Sequence, residues 1–185
     1  MNDSAQSVSN ILFENLQDGE AAYAVLDGAS VPDLLDHLYA EEDRPQFQCL
    51  YRGELAPDVA EVAPYLVRLQ AGTAFAEWVL RSGWGRHWGI FLISGSTLNS
   101  LRHHFSAFVI VHDPEGKPMR FRFYDPRVFR AYLPTCNGDE LGTVFGPIRS
   151  YLVEGEDLKV ALRFQNASGE LVTETLAMGE LPEVH

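Results

Sequence analysis

The sequence predicts a single α/β domain, with a mixed β-sheet flanked by helices and a β-hairpin near the carboxy terminus. Three observations carry this. Short β-like runs alternate with stretches of helical spacing. Gly, Pro, Asn and Asp cluster at the boundaries between them. A chain of 185 residues that is 46% hydrophobic has enough apolar mass for one sizeable core. Residues 1–20 read as a flexible amino-terminal segment, 21–178 as the domain and 179–185 as a tail. No internal repeat, low-complexity tract or linker is visible.

"AAYAVLDG" (21–28) reads as a buried strand ending in an Asp-Gly turn, and residues 30–43 as a helix with Ser30 as N-cap and Pro32 in its first turn. Together they predict a strand followed by a crossover helix. "FQCLYRG" (47–53) is the next strand, closing at Gly53, and "PYLVRL" (64–69) a further apolar run. In residues 73–85 the spacing of Phe75, Trp78, Val79 and Ser82 predicts a helix that stops at Gly83. "HWGIFLIS" (87–94) has the continuous apolar character of a fully buried strand. Residues 96–108 begin with a capping Ser or Thr and place Leu98, Leu101 and Phe105 on one helical face.

Residues 108–125 predict a hairpin: a strand, a turn at Asp113-Pro114-Glu115-Gly116, and a second strand. On that second strand Met119, Phe121 and Phe123 alternate with Arg120, Arg122 and Tyr124, so one face is apolar and the other carries arginine. "PRVFRAYLP" continues as a short helix opened by Pro126, with Asp125 placed to cap it and to pair with Arg127 or Arg122. Residues 158–177 predict a last hairpin that turns at Asn166 to Gly169.

A formal net charge of −12 argues against general nucleic-acid binding, which needs a surplus of Lys and Arg to neutralise phosphates. The amino terminus has neither the basic nor the apolar region of a secretion signal, and no stretch approaches the ~18 apolar residues of a membrane span. A cytoplasmic protein without membrane contact is the expectation. The charge is also uneven. Residues 1–43 hold ten acidic residues and no Lys or Arg, whereas Arg81 to Arg130 hold eight basic residues against three acidic ones. After Tyr151 the chain turns acidic again. Such segments are either solvated faces or two surfaces of opposite sign for different partners.

Chemical motifs are sparse. The six histidines form no HExxH or H-x-E pattern, and Cys49 and Cys136 match no zinc spacing, which leaves them as buried free thiols. No cofactor, metal ligand or catalytic residue is assigned. A His112/Asp113 pair across the hairpin from Asp125 is geometrically conceivable, but no nucleophile accompanies it. The candidate site residues are Arg102, His104, Arg120, Arg122, Tyr124, Asp125, Arg127 and Arg130, and the concentration of eight basic residues between Arg81 and Arg130 makes a protein-docking surface one reading of them. An alternative use of the Arg/Asp/His cluster around residues 103–127 is binding of a small anion, or enzymatic.

The blocks "YAVLDGA", "CLYRGEL", "APYLVRL", "WGIFLIS", "LRHHF", "FRFYDPRVFRAYLP" and "FGPI" occur in that order between residues 23 and 148. This series resembles the DUF-type adaptor chaperones of bacterial type VI secretion, often called Tap or TEC proteins. The resemblance implies a non-enzymatic adaptor that binds a toxic effector in the cytoplasm and promotes its loading onto a VgrG spike protein. Two departures accompany it. His104-Phe105-Ser106 stands where relatives have a more arginine-rich helix, and the chain lacks the helical carboxy-terminal lobe of longer relatives.

Overall fold

A computed structural model describes residues 3–40, 42–112 and 115–179. In chain order the elements are α1 (Asp3–Phe13), β1 (Ala21–Asp27), α2 (Leu34–Leu38), β2 (Phe47–Cys49), α3 (Pro57–Glu61), β3 (Pro64–Leu69), α4 (Ala74–Gly83) and β4 (Gly89–Ser94). Next come α5 (Leu98–Ser106), β5 (Ile110–His112), β6 (Pro118–Arg120), α6 (Pro126–Tyr132), α7 (Gly138–Phe145), β7 (Ile148–Glu154), β8 (Val160–Ala167) and β9 (Glu170–Ala177).

Seven strands form one sheet in the order β2-β3-β1-β4-β7-β8-β9. The α/β class stands, but every pairing among the described strands is antiparallel. β1 sits between β3 and β4 and runs opposite to both, so α2 is not a crossover between parallel strands. It is also much shorter than expected, at five residues. Ser30 does not cap it. Its hydroxyl instead donates to the carboxylate of Asp27, and Asp33 occupies the N-cap at φ 54°. A buried carboxylate needs partners more than a surface helix needs an early start.

Strand alternation divides the core in two. Ala22, Ala24 and Leu26 of β1 face one side with Val67 and Phe91, under α1, α2 and α4. Tyr23 and Val25 face the other with Leu66, Ile90 and Leu92, under α5, α6 and α7. The result is a three-layer arrangement with helices on both faces of the sheet. Gly89 is required where β4 begins beside β1, because a β-carbon there would collide with the Val25 carbonyl of the neighbouring strand.

The segment expected to be flexible, 1–20, carries α1, whose Ala5, Val8 and Leu12 are buried against the sheet and α4. Helix α7 and strand β7 lie outside the elements that the sequence predicts. Asn137 and Glu140 open α7 with a reciprocal capping box, and β7 lies inside the sheet between β4 and β8. The hairpin β5–β6 is a separate two-stranded sheet. Its second strand ends at Arg120 and does not run on to Tyr124. Beyond it the chain bends, with Asp125 N–H donating to Arg122 O, and both Phe123 and Tyr124 turn inward. Stacking of Phe123 on Phe105, 5.4 Å between rings, outweighs continued alternation. The hairpin's turn at residues 113–116 includes 113 and 114, which lie outside the described residues. The last hairpin, β8–β9, forms as expected and turns through Ser168 and Gly169, both at positive φ.

Candidate functional site: a row of paired charges at one end of the sheet

Three acidic residues are buried among the described residues: Asp27, Asp125 and Glu154. Asp27 ends β1 and Glu154 ends β7, on either side of the start of β4, so both emerge at the same end of the sheet. Asp125 opens α6 above them. Each has a basic partner. An uncompensated buried carboxylate is too costly to persist ionised, so the partners are part of the fold.

Asp27 accepts from Ala29 N–H at 3.2 Å and Ser30 Oγ–H at 2.7 Å, and it forms an ion pair with Arg122. Asp125 is the N-cap that the sequence predicts: Oδ1 accepts Arg127 N–H at 2.9 Å. The Arg127 guanidinium closes on the same carboxylate as a two-pronged pair, Nε at 3.0 Å and Nη2 at 2.7 Å. Burial pushes the Asp125 carboxyl up, but the Arg127 side chain and N–H more than offset this and hold it below its ordinary value. Glu154 accepts Gly85 N–H at 2.6 Å and pairs with His87 Nδ1, while Arg130 donates to its backbone carbonyl. His87 holds a positive φ of 58° to reach it.

Arg122 also feels Asp125, and Arg127 also feels Glu154, so the three carboxylates and the two arginines form one row of alternating charge. Tyr124 is buried beside it, and burial, with Tyr51 and Asp27 nearby, pushes its phenol far above the ordinary range. It remains a neutral hydroxyl.

The other residues singled out by sequence lie outside these ion pairs. Arg102 on α5 donates to Cys49 O at 2.8 Å and Tyr51 O at 3.3 Å, and Ser106 one turn on donates to Leu50 O at 3.0 Å. Together they clamp the end of edge strand β2. The His104 ring lies 3.1 Å from Val144 O and against Gly146, tying α5 to α7; burial lowers its pKa and the Val144 carbonyl only partly opposes this. Arg120 lies over the Tyr51 ring, 5.1 Å from its centroid.

The eight residues thus play different structural parts, although Arg102, Arg120 and Tyr124 all meet Tyr51. Arg122, Tyr124, Asp125, Arg127 and Arg130 belong to the charge row, Arg102 and His104 are joints between elements, and Arg120 alone of the eight is an exposed arginine with no carboxylate partner among the described residues. Sequence reasoning missed Asp27, His87 and Glu154. Asp27 had a legible signal, a carboxylate closing a seven-residue buried strand, whereas His87 and Glu154 meet across 67 residues with no local pattern. The pairing of His112 and Asp113 with Asp125 involves Asp113 and the His112 side chain, which lie outside the described residues. Cys49 and Cys136 are free thiols, half-buried, and burial raises both. No described helix is long and apolar enough to cross a membrane.

The model of a family described as a domain of unknown function, DUF4123, matches residues 22–143. The chain belongs to the DUF4123 family. The match runs from β1 almost to the end of α7, so it holds Asp27, Arg122, Asp125, Arg127 and Arg130 but not Glu154 or the hairpin β8–β9. No curated protein and no solved structure matches the chain.

Proposed function

We propose that this DUF4123 protein is an adaptor chaperone of type VI secretion. It binds a cognate effector, promotes loading of that effector onto a VgrG spike and catalyses no reaction. The observation that carries the reading is the coincidence of the family match with the sequence blocks: residues 22–143 contain six of the seven blocks that resemble such adaptors, including the distinctive FRFYDPRV.

The state of the charged residues supports it. Arg122, Asp125 and Arg127 already satisfy one another or Asp27, leaving little unpaired charge to activate or bind a small substrate. Five surface cavities of about 210 to 510 Å³ are lined by residues outside the charge row. In the adaptor reading the row's work is architectural. It fixes the FRFYDPRV corner rigidly against the ends of β1 and β7, so that the adjoining surface is preorganised for a protein partner.

The test is genetic and biochemical together. Removal of the chain from its host is expected to abolish delivery of one effector while the secretion apparatus keeps firing. The purified chain is expected to form a stoichiometric complex with that effector and to bring it to the spike protein. Undiminished delivery of every effector without the chain, or multiple turnover of a substrate by the purified protein, overturns the reading.

A further inference from the structure

A groove of about 280 Å³ lies between the segment after β2, helix α3 and the hairpin β5–β6. Its walls are Leu50, Tyr51, Leu55, Val59 and Ile110, and its charged members are Arg52 and Arg120, with no carboxylate in the lining. Ile110, paired across the hairpin with Arg120, is 55% exposed. An isoleucine held in water in the wall of an apolar groove marks a contact surface better than a scattered surface residue does.

The two arginines give the groove a sign. Neither Arg52 nor Arg120 has a carboxylate partner among the described residues, in a chain whose net charge is −12. Arg120 is positioned by its stacking on Tyr51, which itself belongs to the segment clamped by Arg102. A guanidinium so held loses less freedom when it pairs with a carboxylate.

We propose that this groove is the docking site for an amphipathic segment of the effector, with apolar residues against Leu55, Val59 and Ile110 and flanking carboxylates on Arg52 and Arg120. The inference rests on the adaptor reading. The effector is assigned in preference to the spike because long-lived complexes cover apolar surface, while transient contacts are smaller and more polar. In the adaptor reading the cargo is held from capture to handover, which makes it the longer-lived partner.

The test uses the full chain and the effector whose delivery depends on it. A photo-crosslinking amino acid placed at Ile110 is expected to capture, in native cells, an effector peptide rich in Asp or Glu and apolar residues. Purified Ile110→Asp and the pair Arg52→Glu with Arg120→Glu, all folded by circular dichroism, are expected to bind that effector at least about tenfold more weakly. Arg81→Glu, on α4 away from the groove, is expected to bind as wild type does. A crosslink to the spike or to a second copy of the chain overturns the assignment, as does unchanged affinity in the folded variants or an equal loss in Arg81→Glu. In each of those cases the effector still binds the wild-type chain, so the adaptor reading survives. A wild-type chain that binds no effector removes both.

Discussion

Asp125 combines two duties, capping α6 and holding Arg127, and its loss is measurable apart from partner binding. Asp125→Ala is expected to cost ~1–2 kcal/mol of stability, the range for a lost N-cap. A folded variant with wild-type melting and weakened binding makes the residue a contact instead. The pH dependence has a definite sign. Because the folded carboxyl titrates below its ordinary value, its contribution is complete above the unfolded aspartate value of ~4 and disappears as pH falls through the lowered folded value. The stability gap between wild type and Asp125→Asn is therefore expected to be full near about pH 6 and to shrink on acidification, read by urea unfolding across the range. A gap that stays constant into acid removes the ionic part of the argument. The arginines divide in the same way. Arg122→Ala strands the buried Asp27 carboxylate and is expected to cost about 1–3 kcal/mol, tempered because the Arg122 side chain is itself 47% exposed. Arg120→Ala removes only an exposed contact over Tyr51 and is expected to stay within about 0.5 kcal/mol of wild type. Equal effects of the two would contradict the distinction between a structural and an available arginine.

Edge strand β2 is only three residues long, and the segment after it, residues 50–52, is held by side chains of α5 rather than by a further strand. Arg102→Met keeps the aliphatic stem but removes the hydrogen bonds to Cys49 O and Tyr51 O. It is expected to lower amide protection in residues 47–52 while leaving β7 and β8 unchanged, read by hydrogen exchange; uniform deprotection would mean that the clamp supports the whole fold. At the amino-terminal end of the chain, Leu12→Ala is expected to cost ~2–5 kcal/mol, as for a fully buried leucine, where a flexible leader would tolerate it. These elements also show which parts of the fold were legible. β1, β3, α4, β4, α5, α6 and the hairpin β8–β9 announce themselves because period, cap and turn agree locally. The failures are places where distant demands win. Ser30 leaves its capping role for Asp27, and Phe123 leaves the strand alternation for Phe105. Helix α1 has a buried face that makes sense only once α4 lies beside it. Helix α7 differs from these, because its capping box, Asn137 with Glu140, is a local signal already present in the sequence.

At the scale of the molecule, the fold partly rejoins the charges that are segregated along the chain. The acidic amino-terminal segment supplies Asp27 to Arg122 of the basic stretch and Glu20 to Arg149 beyond it, across 95 and 129 residues of sequence. That long-range pairing ties Arg122 of the FRFYDPRV block to the end of β1. Most cations of the basic stretch thereby have intramolecular roles, and the remaining surface is left with excess carboxylate, a net charge of −12 in all. Two effects of salt then compete. Screening weakens ion pairs, but exposed pairs such as Arg81–Glu77 contribute only about 0–1 kcal/mol each. Screening also relieves repulsion among the unpaired carboxylates, a cost borne by the compact state far more than by the expanded one. The pairs with buried carboxylates are screened less than fully exposed ones, although their arginines reach solvent, and relief of repulsion among many unpaired carboxylates is the larger effect. The melting temperature is therefore expected to rise as sodium chloride increases from about 20 mM to about 500 mM, a range over which the Debye length falls several-fold. A melting temperature that falls over that range would mean that exposed ion pairs, not the interlocked row, hold the two segments together.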